Sequence, residues 1–123
     1  CWDLSQTWLD GFKMEPEHDF HAGLIETSLM MYWKPELVQI ENMQMDDEHT
    51  SKMMRTDQDW FEKREKPLDH PFVVEKVGQR DEIEVGVMGF PERATKEIGK
   101  KVCNEMVAGL VKYVDYLEEH TAL

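Results

Sequence analysis

The segment Asp19-Phe20-His21-Ala22-Gly23-Leu24-Ile25-Glu26-Thr27-Ser28-Leu29-Met30 holds the residues best suited to proton chemistry. His21 stands just before a glycine-containing helix start. Unpaired backbone N–H groups and the positive end of the helix dipole gather there and favour the neutral imidazole. A neutral imidazole accepts protons. Glu26 lies one turn into the helix, where a carboxylate is electrostatically welcome, and the two side chains can point into one cleft. The same residues also fit a structural histidine beside a glutamate that completes a cap. A lone His/Glu pair is a weak signal by itself.

Other candidates are weaker. His18 and His21 are three residues apart, but in a loop. Asp46, Asp47, Glu48 and His49 form an acidic cluster able to bind a metal weakly through oxygen; a solvated surface is the plainer reading. Cys1 carries a thiol beside an amine if it is the true terminus, which is the arrangement of a self-processing nucleophile. Removal of an upstream segment by another protease, or no role at all, is the plainer explanation. Cys103 falls on the lysine side or edge of the last helix as a small apolar residue. The methionines fill gaps or interfaces, and Trp33 and Trp60 serve packing or subunit contacts.

The elements that must position these groups are unevenly legible. Residues 1–9 are apolar and aromatic and read as the end of a strand, with Asp10-Gly11 as a turn. Residues 12–22 read as loop. From Gly23, the residues Leu24, Ile25, Ser28, Leu29 and Tyr32 follow helical spacing, and Pro35 ends that helix or starts a short new turn with Glu36, Leu37 and Val38. Residues 39–70 are polar and poorly periodic, which marks an excursion, a lid or a subunit contact. Phe72 to Val77 and Ile83 to Val87 are β-like, with a possible turn at Gln79 to Asp81. Thr95 is an N-cap candidate. Ile98, Val102, Met106, Leu110, Val114 and Leu117 then form a helical stripe to about Glu119. That stripe predicts a sheet beneath it, yet the chain offers few strands of its own, so further strands are expected from elsewhere.

Bulk properties narrow the classes. The 123 residues are 41% hydrophobic and 33% charged, which suits one folded domain. The formal net charge of −12 disfavours nucleic acid and anionic membranes, which need Lys and Arg. No apolar run approaches the roughly 20 residues of a membrane span. The two cysteines form no CxxC pair, and no basic apolar leader is visible; together these predict a reducing cytoplasm.

The stretch HAGLIETSLMMYWKPELV, His21 to Val38, resembles the helix motif of the creatininase family without a gap. That motif is a His, two small residues, two variable ones, then Glu-Thr-Ser-Leu-Met and a Pro-acid-Leu-Val turn. Cys1-Trp2-Asp3-Leu4 resembles the segment that ends a core strand in the family. Gly86-Val87-Met88-Gly89, Pro91 and Ala94-Thr95, followed by Glu97 and Gly99, resemble the entry to its last helix. Residues 39–84 match poorly.

The resemblance implies a three-layer α/β/α hydrolase that cuts C–N bonds with two divalent metals, Zn²⁺ or Mn²⁺, often as a hexamer. It implies His21 as proton shuttle, Glu26 beside the reacting water, and Trp2 and Gly23 on the substrate side. The family's metal ligands all precede the Trp2 segment, so no metal ligand is assigned here. The expectation is residues 1–123 as the carboxyl-terminal portion of a creatininase-like α/β domain, half of a three-layer fold. A second polypeptide, from a separate gene or from cleavage before Cys1, would carry the metal-binding half. Glu17 occupies the place of a second family tryptophan, which disfavours creatinine itself as substrate. The expected function is hydrolysis of an amide or cyclic amide. The alternatives are a non-catalytic assembly subunit and an N-terminal-nucleophile hydrolase using Cys1.

Overall fold

A computed structural model of the chain describes residues 2–14 and 16–121, Trp2 by its backbone alone. Four α-helices and one two-stranded sheet make up its regular structure. They are α1 (Gln6–Phe12), α2 (Leu24–Trp33), α3 (Glu48–Thr56), β1 (Glu62–Glu65), β2 (Lys76–Gln79) and α4 (Lys96–His120), with short 3₁₀ turns between them.

The centre of the molecule is the packing of α2 on α4, with α1 alongside. Leu24, Ile25, Leu29 and Val102 are buried there, and Trp8, Met14, Ile98, Cys103 and Met106 close around them. Gly99 permits the contact: a Cβ at that position would stand 1.9 Å from the Ser28 carbonyl oxygen. Thr95 caps α4 as the sequence predicts, its side chain accepting from Ile98 N. The Thr95 N–H in turn donates to Ser28 Oγ at 3.0 Å, which sets the start of α4 against α2. Glu105 ties α4 to the chain's beginning. It accepts from Ser5 Oγ (2.7 Å), Thr7 N (3.0 Å) and Thr7 Oγ1 (2.8 Å). The Ser5 hydroxyl is the main cause that holds its carboxyl below the ordinary value, against the opposing effect of burial.

A second, smaller core joins Met54 of α3 to Ile83 and Met88, with Phe20, Trp60 and Phe61 around them. Arg80 lies over the Trp60 ring, 4.2 Å from its centroid.

Several sequence expectations are corrected here. The beginning of the chain is a 3₁₀ turn at Trp2–Leu4 followed by α1, not a strand, and Asp10-Gly11 lies inside that helix. Ser5 caps it by accepting from Trp8 N, and Gly11 stays small because a Cβ would stand 2.6 Å from Ile25 Cδ1. The stretch 39–70 contains α3, capped by Asp47. Helical periodicity there is masked by polar residues on both faces. The hairpin forms between β1 and β2, antiparallel with Glu62 opposite Gln79 and Glu65 opposite Lys76, rather than between 72–77 and 83–87. Asp46 explains the latter: its carboxylate takes the N–H groups of Glu84 (2.7 Å), Val85 (3.0 Å) and Gly86 (2.8 Å), so that segment bonds to a side chain and not to a strand. Finally, the covered face of α4 lies on helices α1 and α2, not on a sheet.

Candidate active site

The head of α2 is built by a buried carboxylate that the sequence reading passed over. Asp19, 7% exposed, accepts from Leu24 N (2.7 Å), Ile25 N (3.1 Å) and Phe90 N (2.9 Å). Two of those donors are orphans of the helix's first turn. The third belongs to the loop before α4, so one side chain caps the helix and pins the neighbouring loop to it. Gly23 and Gly89 make room. A Cβ on Gly23 would meet Asp19 Oδ1 at 1.8 Å, and one on Gly89 would meet it at 2.2 Å. Asp19 does not stand at the usual capping spacing, so nothing in the local sequence marks it as a cap.

This frame fixes the backbone of His21. Its N–H donates to the Met88 carbonyl (3.1 Å), and the Met88 N–H donates to the His21 carbonyl (2.9 Å). Ala22 then turns through a left-handed conformation, φ 50°, which costs energy for a residue with a Cβ. The turn is held from above: Ala22 N donates to Glu26 Oε2 at 2.5 Å. The imidazole is left on the surface. His21 Nδ1 stands 3.7 Å from Glu26 Oε2, with side chains 66% and 44% exposed.

His21 and Glu26 are therefore brought together, although each lines a different cavity. His21 faces one of about 320 Å³ with Phe20, Gln58, Asp59, Phe61 and Glu62. Glu26 faces a larger one of about 480 Å³ with Thr27, Met30, Val38, Ile40 and Met43. The separation arises because the Ala22 N–H draws the Glu26 carboxylate back over the helix end. Gly23 is buried between Asp19 and Gly89. Cys1 and the Trp2 side chain lie outside the described residues.

The remaining candidates have structural partners. Asp46 is engaged by three backbone N–H groups. Burial works to raise its carboxyl, but the bonds from Gly86, Val85 and Glu84 together hold it below the ordinary value. Asp47 accepts from Thr50 Oγ1 (2.7 Å) and Thr50 N (3.1 Å), which hold its carboxyl low as well. His18 stacks on Phe12, centroids 5.6 Å apart, with Nδ1 3.2 Å from the Phe12 carbonyl. Glu17 accepts from Arg55 Nε at 2.6 Å with both side chains largely buried. The Arg55 guanidinium also lies 4.6 Å from the Phe90 ring centroid. Position 17 thus carries an ion pair between the α2 loop and α3.

Among the described residues, no three His, Cys, Asp or Glu side chains converge where a metal ion could sit. The best-placed carboxylates, Asp19, Asp46 and Asp47, are consumed by backbone donors. These residues do not fit a metal centre. Nor is any helix among them long and apolar enough to cross a membrane.

The head of α2 thus presents an exposed imidazole and an exposed carboxylate side by side, on a scaffold of mixed α and β structure. The chain belongs to the creatininase family: the family described as creatininase, creatinine amidohydrolase, matches residues 2–114. Members of that family are typically metal-dependent amidohydrolases, so membership carries hydrolase chemistry in general. Neither a curated protein nor a solved structure matches the chain.

Proposed function

We propose that this chain supplies the proton-transfer side of a creatininase-type amidohydrolase that cuts an amide or cyclic amide C–N bond. One observation carries the reading: His21 and Glu26 stand 3.7 Å apart, both accessible, on a backbone held by Asp19 and Met88. Glu26 lies on the Nδ1 side of the ring. That leaves Nε2 to meet the substrate, take a proton from the attacking water and return it to the departing nitrogen. Glu26 orients the imidazole from its Nδ1 side. The present separation exceeds a hydrogen bond, and such contacts commonly tighten when substrate binds. Gly23, buried between Asp19 and Gly89, holds the backbone that carries the pair.

The divalent metal typical of the family, Zn²⁺ or Mn²⁺ in this reading, is held by residues beyond those described, on another stretch of the protein or on a second polypeptide in a higher oligomer. The test is made on the purified native assembly. His21→Ala should lower kcat by about 100-fold or more while the divalent metal content stays the same. Undiminished turnover in that variant, in an assembly without divalent metal, would reject this reading in favour of a non-catalytic assembly subunit.

A further inference from the structure

We infer that the cavity beside Glu26 binds the apolar substituent of a neutral amide, so that the substrate class is an amide with an aliphatic or aromatic side group and not a small polar ring. The choice of an amide head rests on the hydrolase reading above; the apolar body is argued from the cavity itself. Its volume of about 480 Å³ suits a small organic ligand. Met30, Leu37, Val38, Ile40, Met43 and Val87 give it apolar walls. Four of these side chains are open to solvent, Met30 at 38%, Leu37 at 67%, Ile40 at 39% and Met43 at 38%. Burying such a surface under an apolar group gains about 25 cal/mol per Å². Flexible methionines can adapt to several shapes.

The polar end is as specific. Glu26 is the one charged residue among those lining the cavity. Its Oε2 is taken by Ala22 N–H, and Oε1 accepts no hydrogen bond among the described residues. An amide N–H satisfies that oxygen, whereas a carboxylate is repelled by it. Gln39 supplies the complementary donor: its Oε1 accepts from Asn42 Nδ2 at 3.1 Å, which leaves the side-chain NH₂ to meet a carbonyl oxygen. An amide group carries both functions, and its apolar substituent then lies along Val38, Ile40 and Met43.

The experiment titrates the native assembly, labelled with ¹³C at the methionine methyls, with hexanamide, acetamide and hexanoate. Hexanamide should shift the Met30 and Met43 signals, assigned through Met30→Leu and Met43→Leu. Acetamide, without the apolar body, and hexanoate, with the wrong head, should each bind at least about tenfold more weakly. Ile40→Asp, at an exposed position, should remove the advantage of hexanamide over acetamide. Glu26→Gln should remove the discrimination against hexanoate. Absence of a shift at both methyls up to roughly 10 mM hexanamide, or equal binding of hexanamide and hexanoate, overturns the inference. His21 lines the neighbouring cavity and not this one, so the methyl shifts and the turnover of His21→Ala are read separately. Loss or retention of turnover in that variant therefore judges the hydrolase reading, and the methyl shifts judge the cavity.

Discussion

The two halves of α4 have the same apolar period and opposite surroundings. In the first half Val102 is completely buried, and Ile98, Cys103 and Met106 pack on the α2 core. In the second, Val107, Leu110, Val111, Val114 and Leu117 are all at least 43% exposed. Leu4 reaches that half at Gly109, where a Cβ would stand 2.9 Å from Leu4 Cβ. The lesson concerns what holds a long helix. Helices owe most of their stability to a buried face rather than to propensity. The proximal half of α4 is anchored by α2, Thr95 and Glu105, and the distal half continues from that anchor within one unbroken 25-residue helix.

This contrast can be broken at the packed end with the greatest effect. Gly99→Val places atoms where the Ser28 carbonyl already is, and should destabilise by about 3 kcal/mol in denaturant unfolding. A loss below about 1 kcal/mol would mean that α2 and α4 separate without cost. Val102→Ala removes two buried methyl groups and leaves a cavity, for an expected loss of about 2 kcal/mol by the same measurement.

Glu105 sits at the seam between the halves and makes the contrast pH-dependent. Its folded-state carboxyl is held below the ordinary 4.5, first by the Ser5 hydroxyl. The stabilisation it brings is therefore complete above about that ordinary value and is lost as pH falls through the lower folded-state value. Glu105→Gln should cost about 1 kcal/mol at neutral pH and flatten the acid limb of a stability–pH curve. An unaltered acid limb would show that Ser5 and Thr7 do not favour the ionised form. The smallest effect belongs to the bare half. Val111→Ser should change stability by less than about 0.5 kcal/mol. A loss comparable with that of Val102→Ala would reveal that the distal stripe is covered in solution.

At the candidate site, legibility followed the range of the interactions. The α2 boundaries, the Thr95 cap and the extent of the α4 helix depend on residues a few positions apart, and all three agree with the sequence reading; what the α4 stripe packs against does not. His21 and Glu26 do approach each other, to 3.7 Å, but they line two different cavities and not the single cleft expected of them. Asp19 was invisible as a cap, because its partners include Phe90, seventy-one residues away. The strand expected at 83–87 failed for a related reason. Its backbone donors are claimed by Asp46, thirty-nine residues before Val85, and a β-like composition carries no trace of that. The acids at 46 and 47 read as solvated surface, yet they serve as acceptors for a loop and for a helix start.

By itself, then, the sequence determined the helical periods, the family motif and the pairing of an imidazole with a carboxylate at the head of α2. These are local consequences of residue type and a 3.6-residue turn. Only the tertiary structure decided that Glu26 turns away toward an apolar cavity while His21 faces another. It also decided that Glu17 pairs with Arg55, and that the distal stripe of α4 is left about half exposed among the described residues. Each of those outcomes depends on which distant backbone N–H, guanidinium or side chain arrives at the site, and that is set by packing rather than by spacing along the chain.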